Sequence, residues 1–320
     1  MSDDHRPFRA VVATAYGGPE VLAVIEVDPG EPGPGHVLVK VRAAGVNPAD
    51  WKAYTGAFGT NADRLPLRLG YEAAGEVLAV GTGVTAFTPG DAVIAYRASG
   101  AYADRLVLPE ASLVPKAPEL SWEQAAGLLL AGTTAWHALA ATDVHGGDTL
   151  LVHGAAGGVG DMVTQLALLR GARVIGTARP QNHDWLRALG AEPVAYGPGL
   201  VDRVRTVLRG PFDTVTAAID TVGTDEALET SVAMVADRGR IASIAGFRRG
   251  SELGIRLLGG GPGADPGDGI RASARTELTA LAAAGRLVVT VAATYPLADV
   301  ATAHRDGMAG HSRGKIILVP

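Results

Sequence analysis

The pattern of hydrophobic and polar positions divides the chain into an N-terminal part with short strands and a central part with alternating strands and helices. In the N-terminal part, short or alternating apolar runs are separated by turns rich in glycine and proline, which is typical of β structure. We therefore predict a small, irregular β-barrel. Its strands cover residues 11–13, 21–27, 37–43, 74–80 and 92–96.

The periodicity changes near Ser121, a suitable N-cap for a helix that begins at Trp122. From this point apolar strands and helices alternate, which predicts a parallel sheet covered by helices on both faces. The predicted helices are residues 122–131, 134–141, 158–170, 184–189, 201–208 and 225–235, and the strands are 149–153, 173–177, 193–195, 214–219 and 240–245.

The last part of the chain begins with residues 257–269, which are rich in glycine and are predicted as a loop or hinge. A helix (270–284), a strand (287–291), a second helix (297–308) and a final strand (315–319) follow, and they could return to the first part. A chain of 320 residues exceeds the usual size of a single core, about 250–300 residues. The sequence therefore predicts two domains, residues 1–123 with 268–320 and residues 124–267.

The composition is that of a globular protein, with 47% hydrophobic and 19% charged residues. A net charge of -5 and scattered positive residues argue against a nucleic-acid partner. The polar segment from Met1 to Arg6 leads into no apolar stretch, and no apolar run reaches the roughly 18–20 residues of a membrane span. We therefore expect a cytoplasmic protein that does not bind membranes.

Two features that are absent from the sequence restrict the reactions that the protein can catalyse. The chain contains no cysteine, so it has no disulfide, no cysteine nucleophile and no thiolate metal ligand. It also lacks the G-x-S-x-G pattern, so a hydrolase with a serine nucleophile is not supported.

A glycine-rich turn follows the apolar strand 149–153 and leads into a helix. In such a βαβ unit, glycines let the backbone approach a pyrophosphate that lies at the helix N-terminus. Ala155 replaces the first glycine of the G-x-G-x-x-G pattern, and a tight turn without a ligand is the structural alternative. The turn predicts a dinucleotide site formed by Gly154, Ala155, Ala156, Gly157, Gly158, Val159 and Gly160.

The choice of dinucleotide depends on the end of the next strand, about 20 residues further along the chain. An acidic residue there would bind the ribose hydroxyls of NAD, but the strand ends in Thr177, Ala178 and Arg179. The guanidinium of Arg179 matches the geometry of a 2′-phosphate, although it could also be a solvent-exposed arginine. The sequence therefore predicts NADPH as the cofactor.

Several motifs, in this order, resemble the medium-chain dehydrogenase/reductase superfamily and, within it, the zinc-independent quinone oxidoreductase branch. They lie at residues 43–50, 70–77, 152–160, 219–223 and 310–316 and so cover nearly the whole chain. The resemblance implies an α/β protein in which a GroES-like β-barrel domain, built from both ends of the chain, flanks a Rossmann domain with a doubly wound parallel sheet. It also implies a homodimer.

The resemblance also bears on metal content and reaction class. Zinc-dependent relatives carry a cysteine and a histidine ligand near the positions of Asn47 and Tyr71, and neither residue is a good zinc ligand. We therefore expect no metal, and hydride transfer to a quinone or to the β-carbon of an α,β-unsaturated carbonyl compound in place of alcohol oxidation.

Hydride transfer to such an acceptor places negative charge on its oxygen, which hydrogen-bond donors stabilise. Each candidate donor has a structural alternative, as a turn residue, a solvated charge or a half-buried barrel tyrosine. Related enzymes often carry tyrosine where this chain has Lys52, so either Lys52 or water could be the proton donor. The candidates are Asn47, Lys52, Tyr54 and Tyr71.

Further cofactor contacts follow from the matching motifs. Thr134 is expected near the nicotinamide, Tyr196 near the adenosine phosphate, and Asp220 and Gly223 in the cofactor cleft. Ala245 and Gly246 are expected near the carboxamide. Asp50 is expected to cap or brace the helix after Asn47. Arg313 and Lys315 are expected to be solvated charges, with an approach to the cofactor or the substrate as the alternative.

Two alternatives to a quinone or enone reductase remain open. One is an enoyl reductase that acts on a polyketide or acyl intermediate, because such modules share these motifs. The other is a protein that binds NADPH without turnover, as a sensor or a structural component.

Overall fold

The computed structural model describes the chain from Phe8 to Gly210 and from Asp213 to Pro320, so the polar segment Met1 to Arg6 lies outside it. The chain forms two compact units, one that runs up to Leu130 and resumes with Leu278–Pro320, and one formed by Ala131–Glu277. These divisions lie a few residues C-terminal to the predicted positions 123 and 267. The second division falls inside the helix Asp268–Ala283. The start of this helix belongs to the second unit, where Arg271 bonds Thr134.

The elements are numbered in chain order. The strands are β1 (Phe8–Ala13), β2 (Leu22–Val27), β3 (His36–Val46), β4 (Leu67–Arg68), β5 (Glu72–Val80), β6 (Ala92–Tyr96), β7 (Arg105–Pro109), β8 (Leu113–Pro115), β9 (Thr149–His153), β10 (Arg173–Thr177), β11 (Glu192–Val194), β12 (Ala217–Asp220), β13 (Ile241–Ser243), β14 (Arg256–Leu257), β15 (Val291–Pro296) and β16 (Lys315–Val319). The helices are α1 (Pro48–Tyr54), α2 (Trp122–Ala126), α3 (Leu129–Ala141), α4 (Gly158–Leu169), α5 (His183–Leu189), α6 (Leu200–Val207), α7 (Asp225–Met234), α8 (Phe247–Glu252), α9 (Asp268–Ala283) and α10 (Val300–Ala309).

The first unit contains a seven-stranded sheet in the order β15-β16-β3-β5-β6-β8, in which β7 also pairs with β3, and a three-stranded sheet β2-β1-β4. Strand β16 runs antiparallel to β3, with Ile316 opposite Val46. The C-terminal strand is therefore built into the sheet of the N-terminal part. The core between the strands includes Val39, Tyr102 and Leu318.

The second unit contains one six-stranded sheet in the order β11-β10-β9-β12-β13-β14, and its neighbouring strands are all parallel. Counted from β9, this is the order 3-2-1-4-5-6 of doubly wound nucleotide-binding folds. The strand order reverses between β9 and β12, and ligands of such sheets bind outside the carboxyl ends of the strands at that point. The predicted parallel α/β architecture is confirmed.

Several elements differ from the predictions. The strand predicted at residues 287–291 is wrong in position, because the ladder with β16 begins only at Val291, although Leu287 and Val289 are buried. Helix α8 and strand β14 were not predicted; β14 has two residues, too few to give a periodic pattern. Among the described residues, no helix combines the length and the apolar character needed to cross a membrane.

An ion pair with a buried carboxylate connects the residue before β9 to the residue before β13 at the amino ends of the parallel strands. Asp148, next to β9, accepts two hydrogen bonds from Arg240 at 2.8 and 3.0 Å. It also accepts bonds from the His145 amide and the Thr216 hydroxyl. Burial by itself would raise the pKa of Asp148, but these hydrogen bonds and the charge of Arg240 outweigh burial and lower the pKa to about 2.

This pKa predicts acid-dependent stability. Because the folded pKa of about 2 lies below the unfolded value of about 3.9, the carboxylate stabilises the fold above pH 4, and its contribution is lost as the pH falls through 2. Asp148→Asn should lower the free energy of unfolding by about 2–4 kcal/mol at pH 7 and flatten its decline between pH 5 and 2. Urea unfolding at several pH values measures both effects. The exposed Asp202→Asn is the control; an unchanged acid decline in Asp148→Asn would contradict the assignment.

Candidate functional site

The glycine turn lies between β9 and α4, at the carboxyl end of a central strand. A Cβ on Gly160 would lie 2.0 Å from the Gly154 carbonyl oxygen, so only glycine lets the first turn of α4 pack against the loop. The amides of Gly158 and Val159 occupy the start of α4, where a helix provides no internal acceptor. Backbone donors and the positive end of the helix dipole therefore fit a pyrophosphate.

Ala155 replaces a glycine of the motif, and the neighbouring strand accommodates its methyl group. A Cβ on Gly176 of β10 would lie 2.7 Å from the Ala155 Cβ. The Ala155 amide donates to the Thr177 carbonyl oxygen at 3.0 Å, so the turn is bonded to β10. Glycine at position 176 thus compensates for alanine at position 155.

The first residue of the turn is held by a hydrogen-bonded chain with a defined direction. The Ser231 hydroxyl donates to the Ala227 carbonyl, so it accepts from His153 Nε2 at 3.1 Å. His153 Nδ1 is then the acceptor for the Thr177 hydroxyl, and Thr177 accepts the Gly154 amide at 3.2 Å. Burial lowers the pKa of His153 to about 4, which keeps the ring neutral, and the hydrogen bonds place its proton on Nε2. Sequence analysis did not identify His153 or Thr177 as parts of the site.

Arg179 and Tyr196 lie together beyond the ends of β10 and β11. Arg179 Nε donates to the Tyr196 hydroxyl at 2.8 Å, and Tyr196 is 50% exposed. The terminal nitrogens of Arg179 have no hydrogen-bond partner in the described ranges. Arg203 holds the loop around Tyr196 by donating to the carbonyl oxygens of Ala195, Gly197 and Pro198. The guanidinium is therefore oriented, and its outer edge is available to an anion.

Asp220 positions two loops at the ends of β12 and β13. Its buried carboxylate accepts the amides of Val222 and Gly223 at 3.0 Å and the Ser243 hydroxyl at 2.6 Å. Ser243 in turn accepts the amides of two predicted site residues, Ala245 at 3.2 Å and Gly246 at 2.8 Å. The structure thus gives Asp220 a positioning role, since both of its oxygens are occupied by the protein itself.

Thr134 is buried in α3 and accepts a hydrogen bond from Arg271 Nη1 at 2.9 Å. Arg271 is also buried, and sequence analysis identified neither this arginine nor its neighbour His137 as part of a site. Arg271 lies in α9 and His137 in α3. Only the contact between these two distant segments shows that they are buried and not surface residues.

In the first unit, three strand ends bring Asn47, Glu72 and Lys315 together in a buried cluster. Lys315 Nζ donates to Glu72 Oε1 at 2.9 Å, to the Val46 carbonyl at 3.2 Å and to Asn47 Oδ1. Asn47 Nδ2 donates to Glu72 Oε1 at 3.1 Å. The predicted candidate Asn47 is thus buried, with its amide engaged by an ion pair.

The expectation that Lys315 is a solvated charge is wrong, because its ammonium is buried against Glu72. Glu72 lies in the motif at residues 70–77, but its carboxylate was not predicted to be part of a site. Its other oxygen accepts the Leu130 amide at 2.8 Å. Arg313 is exposed.

A buried series of hydrogen bonds in the first unit removes Tyr54 from the candidate proton donors. The Tyr54 hydroxyl bonds His304 Nδ1 at 2.8 Å, and its ring lies fully enclosed in the barrel core. His304 also approaches the Tyr102 hydroxyl, which donates to Asp50 Oδ2 at 2.8 Å. Asp50 accepts the Asn47 amide at 2.8 Å, as expected for a residue that braces α1. Burial raises the pKa of Asp50 to about 7 and lowers that of His304 to about 4.

Lys52 and Tyr71 remain as reachable candidates. Both are partly exposed, and in the described part of the chain neither side chain has a hydrogen-bond partner. Burial lowers the pKa of Lys52 and raises the pKa of Tyr71. Each can therefore donate a proton to a ligand. The described residues contain no cluster of three or more histidine, aspartate or glutamate side chains that could hold a metal ion.

The chain is similar to known families of dehydrogenases. The alcohol dehydrogenase GroES-like domain matches residues 33–119, and the zinc-binding dehydrogenase family matches residues 189–318. The chain is 38% identical to a quinone oxidoreductase of Pseudomonas aeruginosa, over 96% of this chain and 98% of that protein.

Two solved structures share the fold over their full length. An NAD-dependent alcohol dehydrogenase is 32% identical with a TM-score of 0.85, over 98% of this chain and 99% of that chain. The quinone oxidoreductase of Escherichia coli, complexed with NADPH, is 28% identical with a TM-score of 0.86, over 98% and 100% of the two chains. The expected GroES-like and Rossmann fold is confirmed.

The buried cluster predicts unequal effects for two glutamates of β5. Glu72→Gln should lower the free energy of unfolding by about 3–5 kcal/mol, because it leaves the Lys315 ammonium buried without a counter-charge. Glu76→Gln should cost only about 0.2–1 kcal/mol, because Glu76 and its partner Arg42 are 37% and 40% exposed. Urea unfolding at pH 7 measures both, and similar losses would contradict the different roles of the two pairs.

Proposed function

Since the chain belongs to the quinone oxidoreductase branch of the medium-chain dehydrogenase/reductase superfamily, we propose that it transfers hydride from NADPH to a quinone or an α,β-unsaturated carbonyl compound. As a member of this branch it is an oxidoreductase that uses a nicotinamide cofactor. The observation that carries the proposal is the turn at Gly154–Gly160, whose amides and close packing fit a pyrophosphate. When bound, the cofactor supplies the hydride.

The preference for NADPH over NADH rests on the end of β10. Arg179 is oriented by Tyr196, its outer edge is open, and no carboxylate follows Thr177 to bind ribose hydroxyls. One structural relative is complexed with NADPH and another is described as NAD-dependent. The guanidinium of Arg179 favours the first cofactor for this chain.

A reaction without zinc is supported by the contacts of Asn47. The position where zinc-dependent relatives carry a ligand here holds an amide bonded to the Lys315 ammonium, and a cation next to a zinc ion would be repelled. Without a Lewis acid, an acceptor that is already electron-poor is required. Quinones and conjugated carbonyl compounds have this property.

Lys52 and Tyr71 are proposed to serve the acceptor oxygen. The lowered pKa of Lys52 makes its ammonium a better acid, and Tyr71 supplies a neutral hydroxyl donor. Either group stabilises the negative charge that develops on the acceptor oxygen.

The homodimer and the cytoplasmic location remain predictions. Light scattering tests the first and cell fractionation tests the second.

Arg179→Ala tests the choice of cofactor. Loss of a charge-assisted contact should raise the Kd of NADPH roughly 10- to 150-fold, with less than about a threefold change for NADH. Fluorescence titration measures both constants. The control is Arg187→Ala, whose exposed side chain bonds Asp184. Equal losses for the two cofactors would contradict recognition of a 2′-phosphate by Arg179.

A screen for NADPH consumption tests the reaction and the donors. We expect turnover with quinones or enones, unaffected by chelators and weaker with enoyl thioesters; no turnover with any acceptor would favour a sensor or structural protein. With the best acceptor, Lys52→Met or Tyr71→Phe should lower kcat about 100-fold or more. Tyr54→Phe should destabilise the protein without this loss of kcat. Full kcat in both the Lys52 and Tyr71 variants would exclude these donors.

A further inference from the structure

A buried arginine in the second unit, the partner of Thr134, has been given no role in binding so far. Arg271 in α9 is 8% exposed and donates from Nη1 to Thr134 and from Nε to His137 Nδ1 at 3.4 Å. His137 Nε2 bonds Asp265 Oδ2 at 3.2 Å. These four side chains, Thr134, His137, Asp265 and Arg271, are called the Arg271 cluster.

The hydrogen bonds of the cluster have a fixed direction. Because Arg271 can only donate, His137 Nδ1 is an acceptor, and the ring proton is on Nε2, where it is donated to Asp265. Burial and the charge of Arg271 lower the pKa of His137, which keeps the ring neutral. The Asp265 side chain is 60% exposed and bonds the imidazole, not the guanidinium. Its charge therefore compensates Arg271 only at a distance.

Within the part of the chain that the structure describes, the Arg271 guanidinium has no anion in direct contact. Among the described residues, no carboxylate forms an ion pair with Arg271 and no acceptor bonds its Nη2. In these residues, the polar side-chain atoms that are fully buried and have no hydrogen-bond partner belong to Asp50, Thr133 and Thr164. Arg271 Nη2 also has no partner there but is not one of them, so it remains accessible to solvent. A buried cation without a counter-charge is costly. The end of the guanidinium, with a proton on each terminal nitrogen, matches the two oxygens of a carboxylate.

The position of the cluster separates it from the phosphate-binding residues. The Asp265 amide donates to the Leu257 carbonyl and its carbonyl accepts the Gly259 amide, both at 2.8 Å, so the cluster is attached to the end of β14. Strand β14 is three strands from β9, roughly 14 Å at the spacing of neighbouring strands. Arg179 lies beyond β10, on the opposite side of β9. The pyrophosphate and the 2′-phosphate therefore have their own partners elsewhere along this edge.

We propose that Arg271 binds a carboxylate of the acceptor, so that the preferred acceptor is a conjugated carbonyl compound or quinone that carries a carboxylate. This rests on the proposed function for the reduction, but not for the binding of the anion. Thr134 and His137 hold the guanidinium in place, and its free end forms the paired contact. The carboxylate is unchanged in the reaction. One hydride from NADPH and one proton add across the C=C bond of a conjugated carbonyl compound, or convert a quinone to its hydroquinone, and NADPH becomes NADP⁺.

Matched acceptors test the proposal. The enone 4-oxohex-5-enoate carries a carboxylate that is not conjugated with the double bond, and its methyl ester has the same reactive group without the charge. In the wild-type protein, kcat/KM should favour the acid. Arg271→Gln should reduce kcat/KM for the acid roughly 10- to 150-fold, the range for a hydrogen bond to a charged group, and change that for the ester less than about threefold. Arg275→Gln, one turn along α9, is the control.

Further measurements keep the test decisive. If Arg271→Gln does not fold, Arg271→Lys replaces it and should retain part of the preference for the acid. In the wild-type protein, saturated 4-oxopentanoate should inhibit competitively against the acceptor, and its methyl ester should not. The proposal is overturned if acid and ester lose activity equally, or if the variant weakens NADPH binding in place of acid binding.

The outcome can be separated from failure of the proposed function. If no acceptor is reduced, the proposed reaction is wrong. Calorimetric binding of 4-oxopentanoate to the wild-type protein and to Arg271→Gln, both with NADP⁺ present, then still tests the carboxylate site. Binding that is lost in the variant supports the site, and equal or absent binding overturns it.

Discussion

The ion pair between Lys315 and Glu72 fixes the first unit at the place where three strands end. The two residues begin β16 and β5, and the ion pair includes Asn47 directly after β3. Because a buried charge without a partner in contact is costly, the pair favours the arrangement in which these strand ends meet. The backbone of Asn47 then bonds Asp50, which through Tyr102 connects α1 to the barrel core. Lys52 in α1 and Tyr71 directly before β5 are partly exposed and are close in sequence to these buried residues.

In the second unit the polar groups at the strand ends act mainly on the backbone. Asp220 and Ser243 hold the loops after β12 and β13, while His153 and Thr177 hold the start of the glycine turn. These side chains use their hydrogen-bonding capacity within the protein and leave backbone amides and the Arg179 guanidinium for ligands. A rigid frame of this kind reduces the ordering cost when a cofactor binds.

The sequence predicted the features that depend on local pattern. Strands β9, β10 and β16 lie at their predicted residues, and the glycine turn was recognised because its neighbours in sequence are also its neighbours in space. Contacts between distant segments were not predictable. Lys315 and Asn47 are 268 residues apart in sequence. The motif at residues 310–316, which contains Lys315, does not show that this lysine is buried. Tyr54 was predicted as a donor because residue type alone does not show which face of α1 is buried.

The long separation between Asn47 and Lys315 also has a consequence during synthesis. The chain is made from its N-terminus, so Ala131–Glu277 emerges from the ribosome before Lys315. Until then Glu72 lacks its counter-ion, whereas every strand of the parallel sheet has already been synthesised. During that interval the incomplete barrel exposes the edge of β3 that β16 will later cover, an open strand to which a chaperone or a neighbouring nascent chain can attach.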